Sequence, residues 1–254
     1  MEITGSLLLF GLIVAVLFVF GPRPKLNPTV QTTLVPQNLA PAELASWLTE
    51  YEEAHQGIIG GAEAKIHWAD EPAVTDICLL YIHGFSASRQ ETAPVTERVG
   101  AGLNANVVYT RLAGHGLESD GMEAAAEDWL QSVTDSWEIA SRIGRRVVIV
   151  AVSTGAPLAV WLSQLVTNRE LVHSLVFLSP NFRVRSPFGF ILTWPWSRYW
   201  VPLLLGRERS WEPENELADR YWTSRYSIHA VIEMQKVVDW VKHNPPISHN
   251  IPLA

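Results

Sequence analysis

Cysteine is almost absent: Cys78 is the single one in 254 residues. An internal disulfide needs two thiols and a cysteine metal cluster needs more, so both are excluded. Positive charge is also scarce. Nineteen Lys and Arg face 26 Asp and Glu, for a net charge of -7. Phosphate backbones are bound by basic faces, so no nucleic-acid partner is expected. A glycine-rich phosphate loop is missing too: "GIIGGAEAK", residues 57–65, fits neither the Walker nor the dinucleotide pattern. His243 and His249, with Asp239 near them in sequence, lack a metal-ligand spacing. No cofactor and no metal site are expected. At 48% apolar residues the chain is globular, and it is long enough for a sizeable core.

Charge is absent from one long run. Residues 3–20, "ITGSLLLFGLIVAVLFVF", carry none. About 18–20 residues at 1.5 Å each approach the thickness of a hydrocarbon core. A cleaved signal peptide would show a positive start and a small-x-small cleavage site. Here Glu2 precedes the run and "GPRPK" follows it. Residues 1–22 are therefore expected to be a transmembrane anchor. Arg23 and Lys25 behind it place the main domain on the cytoplasmic side of the membrane. Residues 23–56 read as an extended, Pro-rich linker with a short helix over 41–54. Residues 57–254 read as the main domain.

That domain alternates. Strand patterns fall at 76–83, 106–111, 146–152 and 173–178, with a fainter one at 64–69. Helical patterns fall at 124–141, 155–166 and 227–242. In the first of these, Leu130, Val133, Trp137 and Ala140 recur at three-to-four spacing, with acidic residues on the other face. Continuous apolar strands between helices imply an α/β fold with a mostly parallel sheet covered on both faces. Residues 184–226 break the rhythm with five tryptophans and several prolines, and read as a cap inserted over one sheet edge.

Sites in such sheets form at the carboxyl ends of the strands. Three motifs land there: His83-Gly84-Phe85, Gly114-His115-Gly116 and Ala151 to Gly155, "AVSTG". Ser153 sits where the strand turns into a helix. A serine hydroxyl becomes a nucleophile when it is exposed, activated by a base and close to a helix start. A sharp turn brings strand and helix backbones together, so its flanks must be small, as Ala151 and Gly155 are. The free N–H groups of the helix start, Thr154 first, can face a developing oxyanion. An ordinary helix-capping serine would satisfy the same local pattern; the other two motifs argue against it.

The stretches "YIHGFSAS", "RLAGHGLES" and "VAVSTGAPLA" resemble the α/β-hydrolase fold, within it the serine hydrolases of the monoacylglycerol lipase, carboxylesterase and lysophospholipase type. The resemblance covers roughly residues 60–180. It implies Ser153 as nucleophile, the backbone N–H groups of Phe85 and Thr154 as oxyanion hole, and His83, Gly84 and Gly155 as residues that shape the site. Ala151 stands where the first glycine of the elbow usually is, a difference of one methyl group.

In that family the acid and the histidine of the triad follow the serine in the chain. Here "NPPISHNIPLA" resembles only the approach to the next strand, with Ile251-Pro252-Leu253 as its first residues. His83 and His115 match loop-shaping positions. His55, His67, His173, His229, His243 and His249 have no motif around them. The C-terminal strands, the acid and the base are thus expected beyond residue 254. The expected function is a membrane-anchored serine hydrolase of carboxylic esters with lipidic or acyl substrates, inactive as residues 1–254 alone. If residue 254 is the natural end, the alternative is a non-catalytic, membrane-associated binding module of the same fold.

Overall fold

The computed structural model describes residues 2–118 and 122–245. Its centre is a five-stranded sheet in the order β1-β3-β2-β4-β5. The strands are β1 (Lys65–His67), β2 (Thr75–Ile82), β3 (Asn106–Tyr109), β4 (Gly144–Val152) and β5 (Val172–Leu178). β2 to β5 pair in parallel, and β1 is the antiparallel edge. The expected mostly parallel sheet is therefore present, as a mixed sheet. His249 and Ile251-Pro252-Leu253 lie outside the described residues.

The helices are α1 (Glu2–Val19), α2 (Leu44–Glu53), α3 (Ala93–Leu103), α4 (Ala126–Ile143), α5 (Gly155–Leu165), α6 (Ser197–Leu205), α7 (Glu216–Tyr221) and α8 (Ile228–His243). Strand side chains alternate in direction. Cys78, Leu80 and Ile82 of β2, with Val147, Ile149 and Ala151 of β4, enter a large core with α4, α5 and α8. Leu79 and Tyr81, with Val107, Tyr109 and Val152, form a smaller cluster on the opposite face. α5 is buried almost throughout, from Gly155 to Ser163, as an all-apolar helix should be.

α8 begins at Ser227, whose hydroxyl accepts from the Ala230 N–H at 3.2 Å. Losing such a cap costs about 1 kcal/mol. Ser227→Ala is expected to lower the unfolding free energy by that amount in urea titrations, and Ser227→Asp to restore most of it.

Three expectations change. The residues before α2 are stitched onto α4 rather than forming a free linker. Asp135 accepts from the Leu34 N–H and the Thr33 hydroxyl at 2.7 and 2.9 Å, Arg142 donates to Pro36 O at 2.9 Å, and Val35 is buried. Residues 184–226 are more regular than their sequence suggests. They hold α6, α7 and an antiparallel ribbon of β6 (Glu208–Ser210) and β7 (Arg225–Ser227). Short elements stabilised by the body they pack on leave little periodicity to read. Lastly, among the described residues no helix is long and apolar enough to cross a membrane. The run at the N-terminus is the 18-residue α1, about 27 Å long, just under the roughly 30 Å of a hydrocarbon core. The spanning anchor expected over residues 1–22 is not supported by the structure.

Candidate active site

The carboxyl ends of β2 and β4 meet at one point. β4 runs to Val152, and Ser153 then takes a left-handed backbone conformation at φ 49° before α5 starts. For a residue with a Cβ this costs on the order of 1–2 kcal/mol, and it persists only where neighbours impose it. The neighbours are clear. Ser153 N–H donates to Leu178 O at the end of β5 (3.0 Å), and Ser153 O accepts from the N–H groups of Ala156 (3.1 Å) and Asn181 (2.9 Å). Neither the helix cap nor a hydrogen bond to the side-chain hydroxyl accounts for this serine. Among the described residues its Oγ has no partner.

Gly155 shows why the turn needs a small residue. A Cβ there would stand 2.4 Å from Ile82 O and 2.8 Å from His83 O, both main-chain atoms of the β2 end. The loop after β2 closes over the same turn. A Cβ on Gly84 would stand 3.1 Å from Ser153 Cβ. His83-Gly84-Phe85 and Ser153-Thr154-Gly155, far apart in sequence, are therefore in contact. Neither the Phe85 N–H nor the Thr154 N–H has a partner among the described residues. Free amides at the start of α5 and in the facing loop are what a developing oxyanion requires.

His83 is wholly buried, and its two ring nitrogens are engaged. Nε2 accepts from the Leu112 N–H at 3.1 Å, which leaves the ring proton on Nδ1, donated to Gly84 O at 2.8 Å. Burial, with the neighbouring His115 and then Arg111, pushes its pKa down to about 3. His115 is equally buried. Its Nδ1 lies 3.1 Å from Ala113 O, its Nε2 has no partner among the described residues, and burial lowers its pKa to about 4. The rings of His83 and His115 lie 5.2 Å apart, and Phe85 and Trp129 pack edge-on against His115 at 6.1 and 5.6 Å. Both histidines are neutral packing and hydrogen-bonding groups that hold loops. Neither is set up to take a proton from Ser153.

This burial has a pH consequence. The native rings stay neutral, whereas in the unfolded chain they bind protons near pH 6.5. The unfolded state thus binds more protons as pH falls, and stability is lost below 6.5. At pH 5 each ring is expected to cost about 2 kcal/mol. The raised carboxyl pKa values of Glu91 and Asp135 act in the opposite sense over this range. The check is therefore a comparison. Urea unfolding of the unchanged chain and of His115→Phe at pH 7 and pH 5 should show a smaller acid loss in the variant.

Two residues near Ser153 carried no sequence signal. Asn181 clamps the turn from the far side: its amide nitrogen also donates to the Thr154 hydroxyl at 3.2 Å. Glu91 holds the Gly84 N–H at 3.0 Å and the Tyr81 hydroxyl at 3.1 Å. Both are polar residues in irregular segments, and only the folded chain shows what they touch. A cavity of about 510 Å³ between α2 and β1 includes none of the candidate site residues. Two of the three glutamates lining it are paired, Glu52 with Arg111 and Glu63 with Arg89. Among the described residues no three His, Cys, Asp or Glu side chains converge to hold a metal ion.

Solved structures share this architecture. One of the metagenome-derived lipolytic enzymes LipS and LipT aligns with a TM-score of 0.58 at 19% identity, over 77% of this chain and 75% of that one. The monoacylglycerol lipase of Paleococcus ferrophilus aligns with a TM-score of 0.50 at 14% identity, over 75% of this chain and 76% of that one. At these identities the likeness is one of fold. No curated protein matches the sequence. Residues 79–246, from β2 through the turn at Ser153 to the end of α8, match the sequence pattern of a single family, and the chain belongs to the alpha/beta hydrolase family.

Proposed function

We propose that this protein is a serine hydrolase of carboxylic esters that works through an acyl-enzyme on Ser153. One observation carries the reading: Ser153 is held at φ 49° on the strand-to-helix turn, against the Gly84 loop, with the Phe85 and Thr154 amides unpartnered beside it. In the proposed reaction Ser153 Oγ attacks the ester carbonyl carbon and its proton passes to a base. The carbonyl oxygen becomes an oxyanion held by the two amides. The intermediate collapses, the C–O bond to the alcohol breaks, and the alcohol leaves with a proton. Water then attacks the acyl-enzyme, and the acid and free Ser153 are released. The base is not His83 or His115, whose buried rings hold loops. The proposed base is a histidine paired with a carboxylate, as in the triad that the resemblance implies.

The substrate proposed is lipidic, and the protein is proposed to rest on a membrane through α1. The support is surface chemistry. Leu12, Leu17 and Phe20 of the N-terminal segment are exposed, as are Phe188, Trp194, Leu203 and Leu204 of residues 184–226. The two segments touch: Trp196 Nε1 donates to Leu17 O at 3.1 Å, and Trp196 N–H to Pro22 O at 2.8 Å. Exposed apolar side chains with indoles among them suit a lipid headgroup layer.

The test is fluorophosphonate labelling of the full natural chain, with the modified residue located by mass spectrometry. Label on Ser153, lost in Ser153→Ala, is the expected result. Label that survives this exchange would refute the assignment. A folded protein that never labels would favour the second reading, a non-catalytic binding module; the engagement of both buried histidines is the observation on its side. For the substrate, hydrolysis of long-chain esters is expected to exceed that of short, water-soluble ones. The reverse order would exclude the lipidic reading.

A further inference from the structure

Glu91 is a largely buried carboxyl that the proposed reaction leaves unused. It ends the short turn Arg89–Glu91, which Ser88 caps through the Gln90 N–H. The three side chains of this turn are fastened at three places. Arg89 pairs with the Glu63 carboxylate at 2.7 Å and also donates to Glu63 O at 3.0 Å. Gln90 donates to Gly61 O at 2.8 Å. Glu91 reaches inward instead, to the Gly84 N–H and the Tyr81 hydroxyl, both on its Oε2.

The geometry around Gly84 is close. The point where its Cβ would stand is 3.1 Å from Ser153 Cβ and 3.2 Å from Glu91 Oε1. The carboxyl and the serine turn thus face each other across Gly84, and a side chain there would have to push a neighbour back by a few tenths of an ångström. A loop amide that donates to a fixed acceptor has its direction set. The following amide, Phe85 N–H, is left without a partner among the described residues.

We propose that Glu91 is a positioning residue for this site. By holding the Gly84 N–H and the Tyr81 hydroxyl it fixes the 83–85 loop against the Ser153 turn and keeps the Phe85 N–H free for the oxyanion. This rests on Ser153 being the nucleophile. Glu91 touches neither substrate nor reacting atoms. Its work is done by acceptor oxygen geometry, which an amide can copy. Burial raises its pKa, and the hydrogen bonds from the Gly84 N–H and the Tyr81 hydroxyl act against that rise. The groups facing it are the Tyr81 hydroxyl from β2 and, behind that ring, Tyr109 of β3 with Arg89 over its face. Burial moves both tyrosines far above neutrality, so they keep their protons where Glu91 titrates.

The test uses the full natural chain with Glu91→Ala, Glu91→Gln and Ser153→Ala. Two readouts are taken: amide hydrogen exchange of peptides covering 83–88, and kcat and KM on a soluble p-nitrophenyl ester. In Glu91→Ala, exchange over 83–88 should accelerate at least about tenfold while α4 peptides stay unchanged, and kcat should fall about tenfold or more, as for an enclosed N–H that loses its acceptor. KM should change little. Glu91→Gln should recover both readouts and flatten the pH dependence that Glu91 imposes on kcat. Unchanged exchange over 83–88 in Glu91→Ala overturns the proposal, and so does a glutamine variant no better than alanine. If Glu91→Ala fails to fold, Tyr81→Phe and Glu91→Gln decide: the proposal then predicts faster exchange over 83–88 and a lower kcat in Tyr81→Phe with near-normal values in Glu91→Gln, and a Tyr81→Phe unchanged in both readouts, or a Glu91→Gln as slow as Ser153→Ala, overturns it. Hydrolysis that persists in Ser153→Ala would sink the nucleophile assignment instead, while hydrogen exchange would still report whether Glu91 holds the loop.

Discussion

Exchange of Ser153 for alanine is expected to lower ester turnover by at least about 10³-fold while leaving stability almost untouched. The rate effect follows from removing the atom that would form the acyl bond. What remains is binding and the two amides, which stabilise attack by water only. The lack of a stability effect follows from the surroundings. The Oγ has no hydrogen-bond partner among the described residues, so no bond is broken in the folded state. Alanine keeps the Cβ and therefore the same cost at φ 49°. Unfolding free energy should stay within about 1 kcal/mol in urea titrations. The measurement is kcat/KM on one ester for both proteins, beside their unfolding curves. Equal rates would remove Ser153 from the mechanism. A large stability loss would mean the hydroxyl is a structural cap.

Gly155→Ala is expected to do the reverse, damaging the fold first and the rate through it. The added Cβ would lie 2.4 Å from Ile82 O and 2.8 Å from His83 O. These are main-chain atoms at the end of a central strand, so no flexible side chain can swing aside. α5 must move away from β2 instead, yet Ala156, Leu158, Ala159, Trp161 and Leu162 are all fully buried. A close-packed helix cannot shift without opening gaps elsewhere. Overpacking of this kind costs about 3 kcal/mol. The same movement carries Ser153 and the Thr154 amide away from the Phe85 loop, and a shift of about 1 Å costs roughly 10²-fold in rate. Gly102 provides the control, because a Cβ there meets nothing within 4 Å and the residue lies inside α3. Gly102→Ala should stabilise by about 0.5–1 kcal/mol through helix propensity. Equal behaviour of the two variants would mean the turn at Ser153 is not close-packed.

Much of the scaffold is legible in the order of residues. The runs at 76–83, 146–152 and 173–178 correspond to β2, β4 and β5 to within two residues at either end. Their apolar residues continue on both sides because both faces of the sheet carry an apolar cluster. The pattern in 124–141 corresponds to α4, with Leu130, Val133, Trp137 and Ala140 all buried. Residues 184–226 are the least legible part. Pro202 lies inside α6 and Trp196 precedes it in a left-handed conformation, so the usual helix signals are scrambled. The segment is held by contacts that no local pattern encodes, such as the Thr223 N–H donating to Ser86 O at 2.7 Å and Tyr226 packing edge-on to Phe85.

The site divides in the same way. The order of residues by itself determined that a serine would stand at a strand-to-helix turn between small neighbours. That is a matter of local backbone geometry, and local geometry is written in adjacent residues. It also determined that three loops would gather at one end of the sheet, since parallel strands must all point the same way. Tertiary structure alone decided what each polar group touches. His83 is locked by a Leu112 amide 29 positions away, and Glu91 by a glycine seven positions back and a tyrosine on a neighbouring strand. Partnership and burial depend on where the chain returns, and they set whether a histidine is a base or a neutral strut. The sequence pointed to a candidate site; the fold decided which of its polar groups are buried and which are paired.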